Sequence, residues 1–391
     1  MEMTRRRPTA HLGVLMRFLD FGVNQLTVHK SLRAGIIFFL LIYYLICLES
    51  LSAAELFVHN SIGKDTNSGS KDEPLATIQQ AVRLAQPGDQ ITLLPPRAVY
   101  RQSVTLHNKS DLTIEGNLVT LEGADPLPQT GWEDLGNDLS RRQLPRTVWD
   151  RHLLIVDDIT ERMGRTQSAN APAFPKPEEL IEGQFCFENI DEKQGWLYVK
   201  GSIRNLEWAV RPNGVATGGK TERITIRNLS ARHFLNDGFN VHGQTTGFHC
   251  HTIQGYDCFD EGFGAHDDCE CLVQRGDFWG NENGVADVNR AITMYEECLF
   301  YGNVHVDVLL VGERHVLNDC RIVNQTEARA LSAGPRETRT GEPFRLDLSE
   351  VTIIGKKKSP ARIRINGGLL KMQGCRFENV ELNTLGAEIV E

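Results

Sequence analysis

Short runs of alternating apolar and polar residues return along the second half of the chain at a nearly constant spacing. Their first residues lie 24, 22 and 23 positions apart: Asp237, Glu261, Asn283 and Val306. Within the first run, Phe239 and Val241 are apolar, and the residues that follow each of them are polar. Because successive side chains of a strand point to opposite faces, the pattern predicts stacked strands with their apolar sides inward. The constant step predicts one turn of a solenoid per repeat.

The segment before these repeats predicts a cap for the open end of the solenoid. Pro74 is placed for the start of a helix, and Ile78, Val82 and Ala85 fall on one helical face. The segment resembles the N-terminal cap of pectin-lyase-like proteins at residues 56–59, 63–65, 74–82, 87–91 and 100–101. The resemblance implies an all-β fold, a right-handed parallel β-helix with an N-terminal capping helix.

The position of the repeat divides the chain into four predicted regions. Residues 1–54 form a signal peptide, residues 55–124 the cap and first rungs, 125–208 an inserted β-rich module, and 209–391 the main β-helix. The third region contains strand-like runs without rung spacing, and it resembles the β-sandwich-like insertion of some members of the superfamily. An irregular loop excursion is the alternative interpretation.

The first region has the composition of an export signal. Residues 35–48 are uninterrupted apolar, follow Lys30 and Arg33, and precede small residues that end at Ala54. This apolar run is shorter than the roughly 20 residues that a spanning helix needs. The prediction is therefore a protein cleaved near Ala54 and secreted, or kept in the periplasm or cell envelope. Membrane association is expected only if the segment stays uncleaved as an anchor.

Charge and cysteine content narrow the classes of partner. Removing residues 1–54 takes six of 42 basic and three of 51 acidic residues, which leaves 36 against 48 and a net charge of −12. Such an acidic chain is not expected to bind nucleic acid. Eight cysteines remain, several of them at inward-facing positions, so packing in the core is favoured over disulfide bonds.

Acidic residues gather at the turn that precedes the glycine-led strand of successive rungs. Asp237 lies on one rung, and Asp260 and Glu261 lie on the next. Neighbouring rungs are about 4.8 Å apart, so these carboxylates should repel one another and raise their pKa values unless a cation lies between them. This arrangement suits an acid and base pair, and it equally suits a Ca²⁺ site.

The same corner resembles, in part, the polygalacturonase-type glycoside hydrolases, over residues 236–284. The resemblance implies an inverting hydrolase with Asp260 as the acid, while Asp237 and Glu261 handle the water. The chain departs from the family at Asn283, where the family has a histidine, and it lacks the later Arg-Ile-Lys motif. Asp, Asn and Gly are also ordinary turn residues, so a purely structural role for these carboxylates is the alternative.

Polar side chains around the corner are candidates for binding a substrate: Asn240, His242, His266, Glu282 and Asn283. His242 and His266 should stack outward from adjacent rungs. His249 and His251, with Glu270 one rung on, are a weaker candidate metal site. A lyase would need an arginine to remove a proton from the uronate that Ca²⁺ acidifies, and Arg275 and Arg290 are the nearest candidates. Asp287 falls at an inward-facing position that the pattern does not explain.

Three functions fit these features. The favoured one is a polysaccharide-active or oligosaccharide-active enzyme, a monomer that cleaves glycosidic bonds in a groove along the β-helix, with hydrolysis ahead of calcium-dependent elimination. The second is a non-catalytic carbohydrate-binding protein that keeps the enzyme fold. The third is a structural protein of the cell surface. No cofactor is predicted, apart from Ca²⁺ at Asp237, Asp260 and Glu261 in the lyase alternative.

Overall fold

The computed structural model describes residues 53–157, 159–164, 175–336 and 341–390. The predicted signal peptide lies outside these residues, except for its last two. None of the helices in the described ranges has the length and apolar character needed to cross a membrane.

The described chain contains one α-helix, α1 (Ile78–Leu84), and short 3₁₀ turns at Val148–Asp150 and Pro177–Glu179. The strands, in chain order, are β1 (Glu55–His59), β2 (Gln90–Leu94), β3 (Val99–Tyr100), β4 (Val104–His107), β5 (Ser110–Glu122), β6 (Ala124–Pro126), β7 (Glu133–Asp134), β8 (Leu139–Pro145), β9 (Arg151–Val156), β10 (Ile159–Gly164), β11 (Phe185–Asn189), β12 (Gln194–Lys200), β13 (Leu206–Ala209), β14 (Val215–Gly218), β15 (Lys220–Arg232), β16 (Phe239–Val241), β17 (Gln244–Tyr256), β18 (Glu261–Ala265), β19 (Glu270–Gln274), β20 (Asp277–Trp279), β21 (Asn283–Val288), β22 (Ile292–Glu296), β23 (Leu299–Tyr301), β24 (Val306–Gly312), β25 (Arg314–Asn318), β26 (Arg321–Val323), β27 (Arg329–Pro335), β28 (Arg345–Ser349), β29 (Thr352–Ile354), β30 (Ala361–Asn366), β31 (Leu369–Gln373), β32 (Arg376–Glu378), β33 (Val380–Leu385) and β34 (Glu388–Val390).

Two long parallel sheets form the walls of the solenoid. One has nine strands in the order β33-β30-β27-β24-β21-β18-β16-β14-β4, so each strand lies beside the corresponding strand of the neighbouring turn. The other has 17 strands and covers two walls, because β5, β15 and β17 are long enough to run along both. The predicted right-handed parallel β-helix is confirmed.

The register of the nine-stranded sheet follows the sequence repeat. Phe239 pairs with Phe263, Phe263 with Val285, and Val285 with Val308. All four side chains are fully buried in one continuous core along the solenoid axis. Eight cysteines of the described residues carry free thiols; seven are buried, and Cys375 is half-buried.

The capping helix exists, but it begins later than predicted. Its N-cap is Thr77, whose side chain accepts a hydrogen bond from the Gln80 amide, and Pro74 lies outside the helix. The hydroxyl and the amide of Thr77 both donate to the Asp65 carboxylate, at 2.7 and 2.8 Å. A capped turn thus starts the helix, and its buried residues, including Ile78 and Val82, close the core.

Residues 124–209, between the first and later turns in the sequence, form two antiparallel four-stranded sheets, while those turns pair directly with each other through β4 with β14 and β5 with β15. The orders of the two antiparallel sheets are β10-β9-β13-β6 and β11-β12-β8-β7. Leu153 and Ile155 of β9 pack with Leu235 and Phe259 of the solenoid in a small separate core. This contact fixes β9 beside the corner where the acidic residues lie. The domain boundaries drawn from the sequence remain predictions.

Asp287 faces into the core, as its register predicted, and the structure supplies the missing explanation. Its carboxylate accepts hydrogen bonds from the Thr293 hydroxyl at 2.6 Å, the Tyr295 hydroxyl at 2.9 Å and the Ala265 amide at 3.2 Å. The Thr293 hydroxyl also contacts His315 Nδ1 at 2.7 Å. A buried polar cluster therefore replaces an apolar side chain at this position. Burial raises the pKa of Asp287 to about 7, although the three donors oppose the shift.

We expect Asp287→Asn to stabilise the protein above pH 7. The folded state holds a proton on Asp287 that the unfolded chain, with a pKa near 3.9, has already released, so this residue's contribution falls as pH rises from about 4 to 7. Asparagine removes that penalty, and the expected gain is roughly 2–4 kcal/mol at pH 8. Urea unfolding at pH 5 and pH 8 measures it. An equal effect of the substitution at both pH values would contradict the expectation.

Candidate functional site

A cleft of about 1130 Å³ lies between the outer face of the nine-stranded sheet and the segment that leads into β9. The segment contributes Arg146, Trp149 and Arg151 to the wall. Seven of the eight candidate residues predicted from sequence line this cleft: Asp237, Asn240, His242, Glu261, His266, Glu282 and Asn283. The eighth, Asp260, lies behind the wall.

Three carboxylates meet at the cleft, two of them in its lining and the third, Asp260, behind it. Each of Asp237, Asp260 and Glu261 places an oxygen within 4.8 Å of an oxygen of the other two. The first two side chains are 0% exposed and Glu261 is 2% exposed. The in-register pairing of β16 with β18 produces this meeting, since it places residues 24 positions apart on neighbouring rungs.

Asp237 and Glu261 form a pair in which the two carboxyls are held differently. Asp237 accepts hydrogen bonds from the Asn240 side chain and, at 3.1 Å, from the Glu261 amide, and these donors favour its ionised form. Glu261 accepts a single side-chain hydrogen bond, from Asn283 at 3.1 Å. Burial raises the pKa of Asp237 to about 6. Burial and the charges of Asp237 and Asp260 raise the pKa of Glu261 well above its usual value. The donors to Asp237 and the charges around Glu261 both favour Glu261 as the carboxyl that keeps a proton.

Asp260 belongs to an ion pair rather than to the cleft. Its Oδ2 lies 2.7 Å from Nη2 of Arg151, whose side chain is 8% exposed. The Arg151 guanidinium also donates to Asn236 and lies 5.5 Å from the ring centre of Phe259. The ion pair occupies this carboxylate, and Asp260 does not line the cleft. This geometry does not suit the acid role that the sequence assigned to Asp260.

The predicted stacking of two histidines is present, and the pair faces the cleft. The rings of His242 and His266 are 4.2 Å apart at an angle of 2°. His242 Nδ1 contacts Asp267 at 3.1 Å. Burial and the neighbouring His242 lower the pKa of His266 to about 3, so this ring is neutral. A Cβ at Gly264 would lie 2.8 Å from His266 Nε2, so only glycine keeps the floor open beside this ring.

Three buried atoms of residues that line the cleft could accept a hydrogen bond but have no hydrogen-bond partner among the described residues: Glu261 Oε2, Glu282 Oε2 and His266 Nε2. Burial of an unpaired polar atom costs about 1–3 kcal/mol unless a ligand or water satisfies it. Burial and the charge of Asp260 raise the pKa of Glu282 to about 7. The cleft thus offers hydrogen-bonding atoms of the kind that sugar hydroxyls satisfy.

A chain of hydrogen bonds leaves Glu261 along the sheet. Asn283 donates to Glu261, and its Oδ1 contacts His305 Nδ1 at 3.2 Å. His305 Nε2 contacts Nη2 of Arg329 at 2.9 Å. These hydrogen bonds connect four successive rungs of the sheet, from β18 to β27. They link the carboxylate end of the cleft with a cationic end.

The other candidates from the sequence lie elsewhere. His249 and Glu270 line a smaller groove of about 350 Å³, and among the described residues they do not meet with His251 as a set of metal ligands. Arg275 pairs with Glu297 at 3.0 Å, and Arg290 pairs with Asp268 at 2.5 Å. Neither arginine lines the cleft.

Sequence reasoning missed the arginines that the inserted strands bring to the corner. Arg151 pairs with Asp260, and Arg162 donates to the main-chain carbonyls of Cys258, at 3.0 Å, and Gly280. Their strands lack the rung spacing, so position in the sequence carried no information about which turn they would contact. The sequence offered one indication of this contact, a basic residue in each of the consecutive strands β9 and β10.

Comparison with known proteins defines the fold but not a family. No family model and no curated protein matches the chain. Among solved structures, the complex of XylC with xylose is 12% identical, with a TM-score of 0.51 over 82% of this chain and 70% of that one. Pectate lyase Pel9A is 8% identical, with a TM-score of 0.48 over 86% and 79%. A glycoside hydrolase is 9% identical, with a TM-score of 0.47 over 86% and 96%. At these identities the likeness concerns the parallel β-helix fold alone.

Proposed function

We propose that the protein hydrolyses glycosidic bonds of a saccharide that lies along the nine-stranded sheet. The observation that carries this proposal is the pair of buried carboxyls of Asp237 and Glu261 that line the cleft; Asp237 receives more hydrogen bonds, so we assign it the ionised state and Glu261 the protonated state. Glycoside hydrolysis requires these two states at one bond. The likeness to XylC, a structure solved with xylose, supports a sugar as the ligand of such a cleft.

In this proposal Glu261 is the general acid, in place of Asp260. Glu261 lines the cleft and holds the proton, so it can protonate the glycosidic oxygen as the bond to the leaving sugar breaks. Asp260 is paired with Arg151. Its negative charge helps to keep the proton on Glu261. Asp260 is thus a positioning residue.

The separation of the carboxyls favours a retaining reaction over the inverting one that the polygalacturonase resemblance implied. The nearest oxygens of the two carboxyls lie within 4.8 Å of each other, which is less than the roughly 6.5–9.5 Å that leaves space for a water in inverting pairs. Asp237 would attack the anomeric carbon and form a covalent glycosyl-enzyme. Glu261, now deprotonated, would then take a proton from the water that releases the sugar.

The rate should follow a bell-shaped dependence on pH. Asp237 must be ionised and Glu261 protonated, so activity rises through the pKa of Asp237, about 6, and falls as Glu261 loses its proton at higher pH. Measuring kcat/KM from pH 4 to pH 10 tests this. Activity that is already maximal at pH 4 would contradict an essential ionised Asp237.

A substrate panel tests the reaction class. The protein is incubated with neutral and uronic polysaccharides, with Ca²⁺ or with a chelator, while reducing ends and the ultraviolet absorbance of unsaturated uronides are followed. New reducing ends without absorbance, unaffected by the chelator, are expected. No product from any polysaccharide or oligosaccharide would instead favour a non-catalytic carbohydrate-binding protein.

A calcium-dependent lyase is the second candidate, and one observation favours it. Asp237, Asp260 and Glu261 bring three carboxylate oxygens together, and oxygen ligands of this kind suit Ca²⁺. The guanidinium of Arg151 opposes it, because it already neutralises Asp260. Absorbance that depends on Ca²⁺ in the same panel would select the lyase.

A further inference from the structure

Arg329, where the hydrogen-bond chain from Glu261 ends, has two further arginines near it. Arg329 begins β27, and Arg362 and Arg364 point outward from the neighbouring strand β30, where Ser332 pairs with Arg364. Arg362 and Arg364 are exposed, and Arg329 is half-buried. Burial and the positive charges of the other two lower the pKa of Arg329. Three like charges are therefore close enough to repel one another.

None of the three forms an ion pair with an acidic side chain of the described residues. Arg329 contacts His305, Arg362 donates to the main-chain carbonyl of Glu327 at 2.6 Å, and Arg364 donates to the side chain of Asn366 at 3.1 Å. Among the described residues, most of the other arginines have carboxylate partners, as Arg223 has in Asp111. A chain with 51 acidic residues could supply such partners. The cluster keeps its charge available instead.

The cluster continues the line of the proposed substrate. His305 lines the cleft and contacts Arg329 directly. Strands β18, β21, β24 and β27 are successive neighbours in the sheet, so Arg329 lies three rungs from Glu261, roughly 14 Å at about 4.8 Å per rung. A saccharide lying along the sheet with its cleaved bond at Glu261 would reach the arginines several sugar units away.

We propose that Arg329, Arg362 and Arg364 form a subsite for an anionic group of the saccharide, a carboxylate or a sulfate ester, several units from the cleaved bond. This inference rests on the proposed function, whose substrate class it narrows to acidic saccharides. Guanidinium groups bind carboxylate and sulfate oxygens through paired, charge-assisted hydrogen bonds. An anion between the three side chains would also relieve their mutual repulsion.

Binding measurements separate the subsite from the reaction. Calorimetry with the Glu261→Gln variant avoids turnover, and the probes are hexasaccharides of hexuronic acid, their carboxyl-reduced counterparts and sulfated hexasaccharides. The Arg362→Gln/Arg364→Gln double substitution is then added to that variant. The matched control adds Arg275→Gln, which removes a positive charge directly after strand β19, away from the nine-stranded sheet.

At least one acidic probe is expected to bind about tenfold or more tightly than the neutral one, since a charge-assisted hydrogen bond contributes about 1.5–3 kcal/mol. The double substitution should remove that preference and weaken the salt dependence of binding, while Arg275→Gln leaves both unchanged. The acidic probe that loses affinity identifies carboxylate or sulfate as the group bound.

Equal binding of acidic and neutral probes, no binding of any probe, or acidic binding that survives the double substitution would each overturn the subsite. These results differ from a failure of the proposed function. Arginine-dependent binding without product formation by the unsubstituted protein keeps the subsite and removes the hydrolase. Cleavage of neutral saccharides without any contribution from the arginines keeps the hydrolase and removes the subsite.

Discussion

Replacing Glu261 with glutamine should lower kcat on a saccharide substrate by roughly 10²–10⁴-fold, the usual contribution of a general acid. Glutamine has the same shape and still accepts the hydrogen bond from Asn283, but it has no proton to give to the glycosidic oxygen. With an aryl leaving group of low pKa the loss in kcat/KM should disappear, because departure of that group needs no proton, while kcat stays low because Glu261 is also the base that releases the covalent intermediate. Steady-state kinetics on the two kinds of substrate measures this difference.

Two matched variants make the test specific. Glu282→Gln changes another carboxyl of the same cleft and should reduce kcat far less. Asp237→Asn removes the proposed nucleophile, so its activity should be lost on both kinds of substrate. A Glu261→Gln variant whose kcat/KM is equally impaired with good and poor leaving groups would show that Glu261 is not the acid. The pH profile of Glu261→Gln should also lack the descending limb.

Replacing Arg151 with methionine should destabilise the fold by about 3–5 kcal/mol, because it leaves the Asp260 carboxylate buried without its partner. The side chains of Arg151 and Asp260 are 8% and 0% exposed, so water cannot replace the lost charge easily. Urea unfolding at pH 7 measures the change. The comparison is Arg376→Met, which removes one half of an exposed pair with Glu378 and should cost no more than about 1 kcal/mol.

The double variant Arg151→Met/Asp260→Leu distinguishes a charge effect from lost packing. Removing both charges together is often neutral for a buried pair, so the double variant should be more stable than Arg151→Met alone. If the two losses simply add, the side chains are not coupled, and Arg151 does not stabilise the fold by neutralising Asp260. Catalysis is not the readout, since both residues adjoin the corner.

Much of the cleft floor could be predicted from the sequence because the solenoid is regular. In stacked parallel strands, residues one period apart become neighbours, so the steps from Asp237 to Glu261 and on to Asn283 translate directly into contacts. The stacking of His242 and His266 follows from the same register. The inward direction of Asp287 also followed from alternation, although its hydrogen-bond partners did not.

The roles of the carboxyls could not be predicted in this way. Asp260 and Glu261 are adjacent in sequence, and both stood one period from Asp237. Only the packing of β9 against the corner separates them, since Arg151 takes Asp260 into an ion pair and leaves Glu261 in the cleft. A contact between segments without a common period depends on the shape of both surfaces. No spacing in the sequence records it.

The sequence by itself determined the solenoid, its rung period and the positions that share a cleft floor. These are local properties, repeated in register, and alternation between two faces is enough to specify them. The tertiary structure decided which carboxylate enters an ion pair, which residues form the cleft wall and which arginines lack a carboxylate partner among the described residues. Those features arise from burial and from charges brought together by side chains of distant segments, and both depend on the whole fold.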